Sequence, residues 1–510
     1  MRAALAILLT VLIGPAWGAG VDRDRFGAEM AGAVFSTALE FIAPRALEVV
    51  TIQQLALWGL RGIMTLDPLL TPSLTDGVVT LRRGNAVVFQ RPAPDQNSAE
   101  LWGAMVAELS TAAWNVSPEI QAAGGQALIT TFFDEVFNHL DPYSRYVAPE
   151  AADEDRARRS GEAGAGLELA RIRTAFLVQT VNADGPSAEA GIAPGDVILA
   201  VDDQPTKGEQ LETVLGWIAG LEGTDVSLTV RGRGGRVRKV DVERVVLPPE
   251  TVFGSRAGDV VLLRVSGFSS DTDQRFGREL ERQLGRAGGA SVKGIVVDLR
   301  GNRGGLLRQA VAATDLLLSE GVIATTSGRN PQAAHEWRAN SADLAKGKPV
   351  IVLVDGRSAS AAEIMAGALA GQGRAVVVGS STLGKGLVQT ITTLPDGGEL
   401  FVSWSRVLAP GGWPIQGLGV LPQVCTSLGQ DAVTDQLDSL QRGTLMLANA
   451  MERHRAARAP LPAAEVVEQR AACPAAEGRD GDMTTARFLI SHPSAYSAAL
   501  LIPPNRPKGG

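Results

Sequence analysis

Residues 350–364 read VIVLVDGRSASAAEI, and the fold of the chain can be worked out from this stretch outward. Its first five residues form an apolar run that is typical of a buried strand, and a helix is predicted over 360–371 after a short polar loop. Further buried strands are predicted at 260–265, 294–299 and 374–378, and further helices at 273–286 and 306–319. Such alternation predicts an α/β region with a largely parallel sheet and helices packed on it.

Three loops of this predicted sheet are candidate functional loops, because ligands of such sheets collect where strands end and helices begin. The loops are residues 300–305, 355–360 and 379–386. Ser360 would lie at the N-terminus of a helix, where unpaired backbone N–H groups can stabilise the oxyanion of an acyl-transfer reaction. Alternatively, Ser358 or Ser360 simply caps that helix. The loop alone therefore leaves both a nucleophile and a cap open.

The loop at 379–386, GSSTLGKG, resembles a phosphate-binding loop but does not fit one. Gly386 stands where such a loop needs a serine or threonine for magnesium, and the residues that follow are strand-like rather than helical. A different role is indicated for Lys385, since only seven of the 48 basic residues are lysines. Arginine cannot lose its proton, whereas a desolvated lysine can act as a general base. An ordinary surface lysine is the alternative.

Other kinds of site are not indicated by the sequence. Neither a G-x-S-x-G nor an S-x-x-K pattern occurs, and neither His139 nor His335 lies in a loop at a predicted strand end, so a Ser-His-Asp triad is not predicted. Four histidines without metal-ligand spacing and two cysteines predict no metal site, and no cofactor is expected. The net charge of −7 argues against nucleic acid as a partner.

Four motifs in combination resemble those of the C-terminal processing peptidases, also called tail-specific proteases. The motifs are DLRGNRGGL at 298–306, SASAAEI at 358–364, GSSTLGKGLVQ at 379–389 and GLGVLP at 417–422. Their order and spacing match over roughly residues 140–425. The resemblance implies a multidomain α/β protein with a crotonase-like ββα/βαβ catalytic core.

The same resemblance implies roles for five residues of a serine endopeptidase. Ser360 is the nucleophile, and Lys385, 25 positions later, is the general base. Gln389 orients the lysine, and the backbone N–H groups of Ala361 and Gly304 form the oxyanion hole. The alternative from another functional class is a catalytically inactive scaffold that only holds protein tails.

Residues 161–246 resemble a PDZ domain through the motifs GPSA and AGIAPGD within 185–196. A PDZ domain adds the C-terminal strand of a target protein to a sheet edge and holds its carboxylate on backbone amides. The resemblance places the carboxylate-binding loop at Gly164, Ala165, Gly166 and Leu167. The implied partners are proteins or peptides with a free, apolar C-terminus. Alternatively, the domain packs against the core as a lid.

The start of the chain has the features of a secretory signal peptide. Arg2 is followed by an apolar run over 3–13 and by small residues near 15–20. We therefore expect an exported protein, periplasmic or extracellular, with an uncleaved membrane anchor as the alternative. In an oxidising compartment, Cys425 and Cys473 are expected to form a disulfide.

The predicted domain organisation follows from these patterns. It comprises a signal peptide at 1–20, an N-terminal helical region at 21–150, a PDZ domain at 161–246, a peptidase core at 250–425 with a contribution from 140–160, and a helical tail at 426–510. Residues 151–160 are dense in charge and are expected to form a solvated linker. A homo-oligomer and a regulatory adaptor protein are left open as further partners.

Overall fold

The computed structural model describes residues 27–160, 162–182, 185–285 and 291–502. The predicted signal peptide lies outside these residues. Contacts within the chain divide it into two units. The described part of the first unit is formed by residues 27–43, 50–146 and 394–396, and the second unit contains the other described residues.

The first unit combines helices with a small sheet. Its elements are α1 (Ala28–Ile42), α2 (Ile52–Arg61), α3 (Ile63–Leu66), β1 (Leu70–Thr75), β2 (Val78–Arg83), β3 (Ala86–Pro92), α4 (Ala99–Val116), α5 (Pro118–Ala123), α6 (Gly125–Asn138) and β4 (Arg145–Val147), whose last residue is assigned to the second unit. Strands β2 and β3 form a hairpin, and β1 extends it to a three-stranded antiparallel sheet. Helices α1 and α4 pack closely, because a Cβ on Gly103 would lie 2.6 Å from the Ser36 nitrogen.

Residues 149–160 form a helix, α7 (Pro149–Ser160), so the prediction of a solvated linker at 151–160 is wrong. Charged residues are common in loops, but alanine, glutamate and arginine also favour helix, and no further glycine or proline follows Pro149 in this segment. The helix makes a tertiary contact, because the Arg156 guanidinium donates a hydrogen bond of 3.0 Å to the buried Glu399 carboxylate.

The segment that resembles a PDZ domain forms an antiparallel sheet with one main helix. Its elements are β5 (Glu162–Gly164), β6 (Leu167–Ile172), β7 (Ala175–Val181), α8 (Pro186–Glu189), β8 (Val197–Val201), β9 (Gln204–Pro205), α9 (Leu211–Ile218), β10 (Asp225–Arg231), β11 (Val237–Glu243) and β12 (Val245–Leu247). The main strand order is β11-β10-β8-β7-β6, so β6 is an edge strand. Helix α9 begins after Gly208, which has a φ of 97°, and it ends before Gly220.

The rest of the second unit is an α/β core followed by a helical tail. Its elements are β13 (Val252–Ala257), β14 (Val260–Val265), α10 (Thr272–Gly285), β15 (Gly294–Asp298), α11 (Leu307–Asp315), β16 (Val322–Ser327), a short 3₁₀ helix (Pro331–Ala333), β17 (His335–Arg338), β18 (Val350–Val354), α12 (Ala361–Gly371), β19 (Ala375–Gly379), β20 (Leu387–Thr393), β21 (Glu399–Leu408), β22 (Val424–Cys425), α13 (Gln430–Gln441), α14 (Ala448–Ala456), α15 (Ala463–Arg470), α16 (Asp480–Ser491) and α17 (Pro493–Ala499).

The main sheet of this core has the strand order β13-β14-β15-β18-β19-β22. The strands from β14 to β22 are parallel, and β13 is antiparallel at one edge, which confirms the predicted largely parallel sheet. Helices α10, α11 and α12 cover one face through residues such as Phe276 and Met365. Tail helices α13, α16 and α17 cover the other through Leu440, Ile490 and Tyr496. The sheet is therefore buried on both faces, as its apolar strands require.

A second sheet, in the order β17-β16-β21-β20, carries the segment after the lysine loop. The strand predicted after residue 386 is confirmed as β20. The structure also joins Cys425 at the end of β22 to Cys473 in the tail by a disulfide. Of the helices in the described residues, none is both long and apolar enough to cross a membrane.

Candidate active site

Ser360 lies where the buried strand β18 passes into α12. It has φ 55° and ψ −116°, a backbone conformation that residues with a Cβ rarely adopt. Ala361 is the first residue of α12, so its N–H has no acceptor within the helix. The local backbone thus presents a half-buried serine beside an N–H group at the positive end of a helix.

The neighbouring Ser358 is a structural residue. Its side chain is fully buried, and its hydroxyl accepts the Asp355 N–H at 3.0 Å and donates to the Leu299 carbonyl at 2.8 Å. The hydroxyl is therefore committed to holding the loop against the neighbouring strand. Of the two serines that the sequence offers, Ser360 is the one whose surroundings fit a nucleophile.

Glu363 joins the loop of Ser360 to the loop of Lys385. One carboxylate oxygen, Oε2, accepts the backbone N–H of Ser360 at 2.7 Å and that of Lys385 at 2.8 Å. The backbone nitrogens of Ser360 and Lys385 can therefore be no farther apart than the sum of these two distances. The other oxygen, Oε1, accepts the Thr382 hydroxyl and the Gly384 N–H.

Glu363 is not among the predicted site residues, although the sequence contains a signal for it. Ser360 and Glu363 have the S-x-x-E spacing of a capping box, in which the glutamate reaches back to the N–H of the first residue. Its carboxylate is fully buried. Burial raises the pKa of the Glu363 carboxyl above its ordinary value, while the donated hydrogen bonds oppose that shift because they favour the ionised form.

The glycine-rich loop after β15 also reaches Ser360. A Cβ on Gly304 would lie 2.9 Å from both the Ser360 Cβ and the Ala359 carbonyl oxygen. Gly304 has a φ of 98°, and its N–H donates to the Asn302 Oδ1 at 2.8 Å. The structure thus brings Gly304 and Ala361 to the same place, but the Gly304 N–H is paired with a side chain here.

Gln389 lies on β20, four residues after the lysine. Its side-chain amide donates to the Leu387 carbonyl at 3.1 Å and to the Ser403 hydroxyl at 3.2 Å. The pairing of β20 with β21 shifts register between Val388 and Gln389. Such a bulge changes the direction of a side chain relative to a regular strand.

The sequence of the chain is similar to those of known peptidases. Residues 259–426 match the model of peptidase family S41. The chain is 34% identical over 302 residues to the carboxy-terminal-processing protease of Bartonella bacilliformis, covering 59% of this chain and 69% of that protein. It is also 34% identical over 287 residues to a probable CtpA-like serine protease of Staphylococcus aureus, covering 56% of this chain and 57% of that protein. The chain belongs to the S41 carboxy-terminal-processing serine proteases.

A solved structure, the photosystem II D1 C-terminal processing protease, matches with 26% identity and a TM-score of 0.35, covering 60% of this chain and 86% of that one. A PDZ domain model matches residues 177–232. The peptidase match begins only at residue 259, so the two matched segments are separate along the chain. The protein is therefore a multidomain S41 peptidase that carries a PDZ domain.

In the PDZ domain of this S41 peptidase, the four residues predicted to bind a carboxylate run from the last residue of β5 to the first residue of the edge strand β6. Ala165 is buried, Gly166 has a φ of 74°, and Leu167 begins β6. Two backbone hydrogen bonds hold the loop, because the carbonyls of Ala165 and Gly166 accept the N–H groups of Ser187 and Asn182, respectively. The four residues lie outside the matched segment at 177–232.

Proposed function

We propose that the protein cleaves other proteins from their C-terminal side with a Ser360–Lys385 dyad. Lys385, in its neutral form, takes the proton from the Ser360 hydroxyl as its oxygen attacks the scissile carbonyl carbon. The same proton passes to the leaving amine when the peptide bond breaks, which leaves an acyl-enzyme and a neutral lysine. Lys385 then takes a proton from a water molecule whose oxygen attacks the acyl carbon. That proton passes to the Ser360 oxygen as the ester bond breaks, which releases the acid and restores both Ser360 and the neutral lysine.

The observation that carries this proposal is the carboxylate of Glu363, which accepts the backbone N–H groups of Ser360 and Lys385 on one oxygen. Two loops from different strands are thereby held together at the residues that the chemistry needs. Gln389 is assigned to orient the lysine. The Ala361 N–H is assigned to bind the oxyanion, and for Gly304 to be the second donor its N–H has to exchange Asn302 for the substrate oxygen.

The test is turnover of an unfolded protein by the purified chain. Ser360→Ala should abolish cleavage, and Lys385→Arg should abolish it as fully as Lys385→Ala, because arginine keeps the charge but cannot become a base. Lys293→Arg is the matched control, since Lys293 is an exposed lysine paired with Asp259, and it should leave turnover unchanged. Chelators should also have no effect. Substantial turnover by Lys385→Arg would refute the assigned base.

We also assign substrate selection to the PDZ domain, with the C-terminal residues of the substrate as the recognised element. The edge strand β6 can pair with an extended peptide, and the backbone amides of residues 164–167 can bind its terminal carboxylate. An apolar final side chain fits this mode of binding. Substrates with a free, apolar C-terminus are therefore proposed as the partners.

Amidating the C-terminus of one substrate tests this assignment. Losing charge-assisted hydrogen bonds costs about 1.5–3 kcal/mol, so cleavage below saturation should slow by about tenfold or more. Deleting residues 161–246 should remove the difference between the free and the amidated substrate. Equal cleavage of both by the full chain would show that the carboxylate is not recognised, and a faster deletion variant would show that the domain acts as a lid.

Export to the periplasm or the cell exterior, and a crotonase-like core, complete the proposal. The N-terminal sequence pattern and the pairing of Cys425 with Cys473 support export, since disulfides persist in oxidising compartments. The parallel sheet between two helical layers supports the fold assignment. Cell fractionation with a periplasmic and a cytosolic marker protein tests the location.

A further inference from the structure

A segment of the tail, residues 470–482, runs behind the proposed active site, and we call it the strap. It begins at the end of α15 and ends in the first turn of α16. The family match stops at residue 426, so the strap lies outside the segment that identifies the peptidase. Its sequence contains no motif that the chemistry would need.

The strap binds the lysine loop through Arg470. The guanidinium donates to the Thr382 carbonyl and to the Leu418 carbonyl, each at 2.8 Å. Thr382 donates its hydroxyl to Glu363, which holds the Lys385 backbone. One arginine of the tail is thus a single residue removed from the carboxylate that joins the two proposed catalytic loops.

The strap also binds the loop that carries Ser360. The Ala476 carbonyl accepts the N–H of Gly356, in the loop of Ser360, at 2.7 Å. The Ala476 N–H donates at 3.0 Å to the hydroxyl of Ser380, which belongs to the lysine loop. A Cβ on Gly356 would lie 3.2 Å from the Ala476 carbonyl oxygen. Backbone is therefore packed on backbone at this contact, which leaves little room for the loop to shift.

The third loop, which contains Gly304, is bound by the far end of the strap. The Arg300 guanidinium donates to the Arg479 carbonyl at 2.9 Å and to the Asp482 carboxylate at 3.1 Å. A Cβ on Gly478 would lie 2.6 Å from the Arg300 Cδ. All three loops of the proposed active site are therefore held by one segment of 13 residues.

The strap is fixed to the sheet by the disulfide. Cys473 lies inside the strap, and Cys425 ends β22, so the bond anchors the strap three residues after Arg470. Both cysteines are fully buried. Along the chain, Cys473 thus lies between Arg470, which binds the lysine loop, and Ala476, which binds the loop of Ser360.

We infer that the disulfide-anchored strap is part of the catalytic apparatus, with Arg470 as the residue that positions the lysine loop, so that full peptidase activity depends on the Cys425–Cys473 bond. This inference rests on the proposed dyad. It also implies that the chain becomes fully active only after it reaches a compartment in which the disulfide forms. The strap acts on the geometry of the site and does not touch the substrate.

Arg470→Ala is the first test, with kcat and KM measured on a short peptide below the unfolding temperature of every variant. The expected result is a loss of tenfold or more in kcat with KM within twofold, because the displaced loop carries the base rather than the substrate-binding surface. Millimolar guanidinium, but not urea, should restore part of kcat by filling the vacated place between the two carbonyls. Arg470→Lys should restore less, since lysine lacks the forked donor geometry.

Arg458→Ala is the matched control. Arg458 is also a tail arginine that binds backbone carbonyls, but these carbonyls, which belong to Arg455, Ala457 and Gly411, lie outside the three loops. It should keep kcat within twofold of the wild type. Equal losses from Arg458→Ala and Arg470→Ala, or no guanidinium rescue, would overturn the role of Arg470. Wild-type turnover that Ser360→Ala abolishes would leave the proposed function intact in either case.

The double variant Cys425→Ala/Cys473→Ala tests the role of the disulfide. A variant is used because a chemical reductant would reach the two buried cysteines poorly. We expect a fall in kcat of tenfold or more in the folded variant, and the loss should be confined to kcat as for Arg470→Ala. Unchanged kcat in a variant that unfolds cooperatively would overturn the dependence on the disulfide.

Discussion

Two buried carboxylates lie on either side of Ser360 and differ in how they use their oxygens. Asp355 directly follows the strand β18, and most of its hydrogen bonds are accepted by one oxygen. Its Oδ1 accepts, at 3.0 Å each, the N–H groups of Gly301, Arg357 and Ser358. Its Oδ2 accepts a longer bond of 3.3 Å from the Gly478 N–H. Asp355 therefore supports the side of the site that contains Gly304.

Glu363 supports the lysine side and shares its donors evenly. Each of its oxygens accepts two hydrogen bonds, and three of the four donors are backbone N–H groups. A side-chain amide has one acceptor oxygen and two donor hydrogens. An amide in place of Asp355 would therefore lose only the long bond from Gly478, whereas an amide in place of Glu363 must leave at least one N–H of a short bond unpaired.

The largest expected effect breaks the side that Asp355 supports. In Gly304→Ala, the new methyl group would lie 2.9 Å from the Ser360 Cβ, and the residue would have to keep a φ of 98°. The loop must move away from Ser360, which removes the proposed oxyanion site. Loss of one oxyanion donor costs about 10²–10³ in kcat, and we expect a fall of at least that size.

Gly258→Ala is the control for that substitution. Gly258 also has a positive φ, 69°, but no atom outside its immediate chain neighbours lies within 4 Å of the position of a new Cβ. It should lower stability through backbone strain and leave kcat unchanged. The oxyanion assignment for this loop would be contradicted if the two alanine variants had the same kcat.

An intermediate effect concerns the stability of the lysine side in acid. His454 is buried and bonds to the Gly419 carbonyl at 3.0 Å, and Gly419 precedes the residue whose N–H donates to Thr382. Burial lowers the pKa of His454 to about 4, and the positive charges of Arg470 and Arg455 act in the same direction. The neutral imidazole is therefore the form that the folded protein holds.

The sign of the pH dependence follows from that shift. Between about pH 6.5 and 4 the unfolded chain binds a proton on this histidine more readily than the folded protein does. The stability that His454 contributes is fully present above pH 6.5 and is lost as the pH falls toward 4, by about 3 kcal/mol in total. Urea unfolding of the wild type and His454→Gln at several pH values measures it, and the difference between the two curves should shrink in acid. A constant difference would contradict this account.

Much of the peptidase fold is predictable from the sequence because its signals are local. The apolar run at 350–354 predicts a buried strand by its own composition. The glycines of the loops at 300–305 and 379–386 indicate close backbone approach, although the residues that they approach, such as Ser360 for Gly304, lie elsewhere in the chain. Ser360 and Lys385 could be singled out because their signals are local too. Their assigned roles remain predictions that the experiments above test.

The tail is different, because its function is carried by long-range contacts. Arg470 is one of many arginines in the chain, and nothing in its neighbours indicates that it binds the carbonyl of Thr382, 88 positions earlier. Likewise, the charged residues of α7 predict a loop. Only the structure shows that one of them, Arg156, binds the distant Glu399. A sequence pattern shows what a residue can do, and only the fold shows what it meets.

The smallest expected effects separate the two carboxylates. In Glu363→Gln, the side-chain oxygen can face either the pair of Ser360 and Lys385 or the pair of Thr382 and Gly384. Since the Thr382 hydroxyl can rotate to accept the new amide, the second pair is the cheaper one to disturb, and the Gly384 N–H is left unpaired. An unpaired buried donor costs about 1–3 kcal/mol, so we expect kcat to fall by about tenfold or more.

Asp355→Asn is the matched substitution and should behave differently. Its oxygen can keep the three N–H groups on the Oδ1 side, and its NH₂ then replaces the oxygen that accepts only the long bond from Gly478. A bond of that length contributes little, so kcat should stay within about threefold of the wild type and the unfolding temperature should change little. Both variants replace one buried carboxyl near Ser360 by an amide, so an effect of that replacement alone would give them similar losses. If Asp355→Asn loses as much kcat as Glu363→Gln, the distribution of donors does not explain the difference between the two sides of the site.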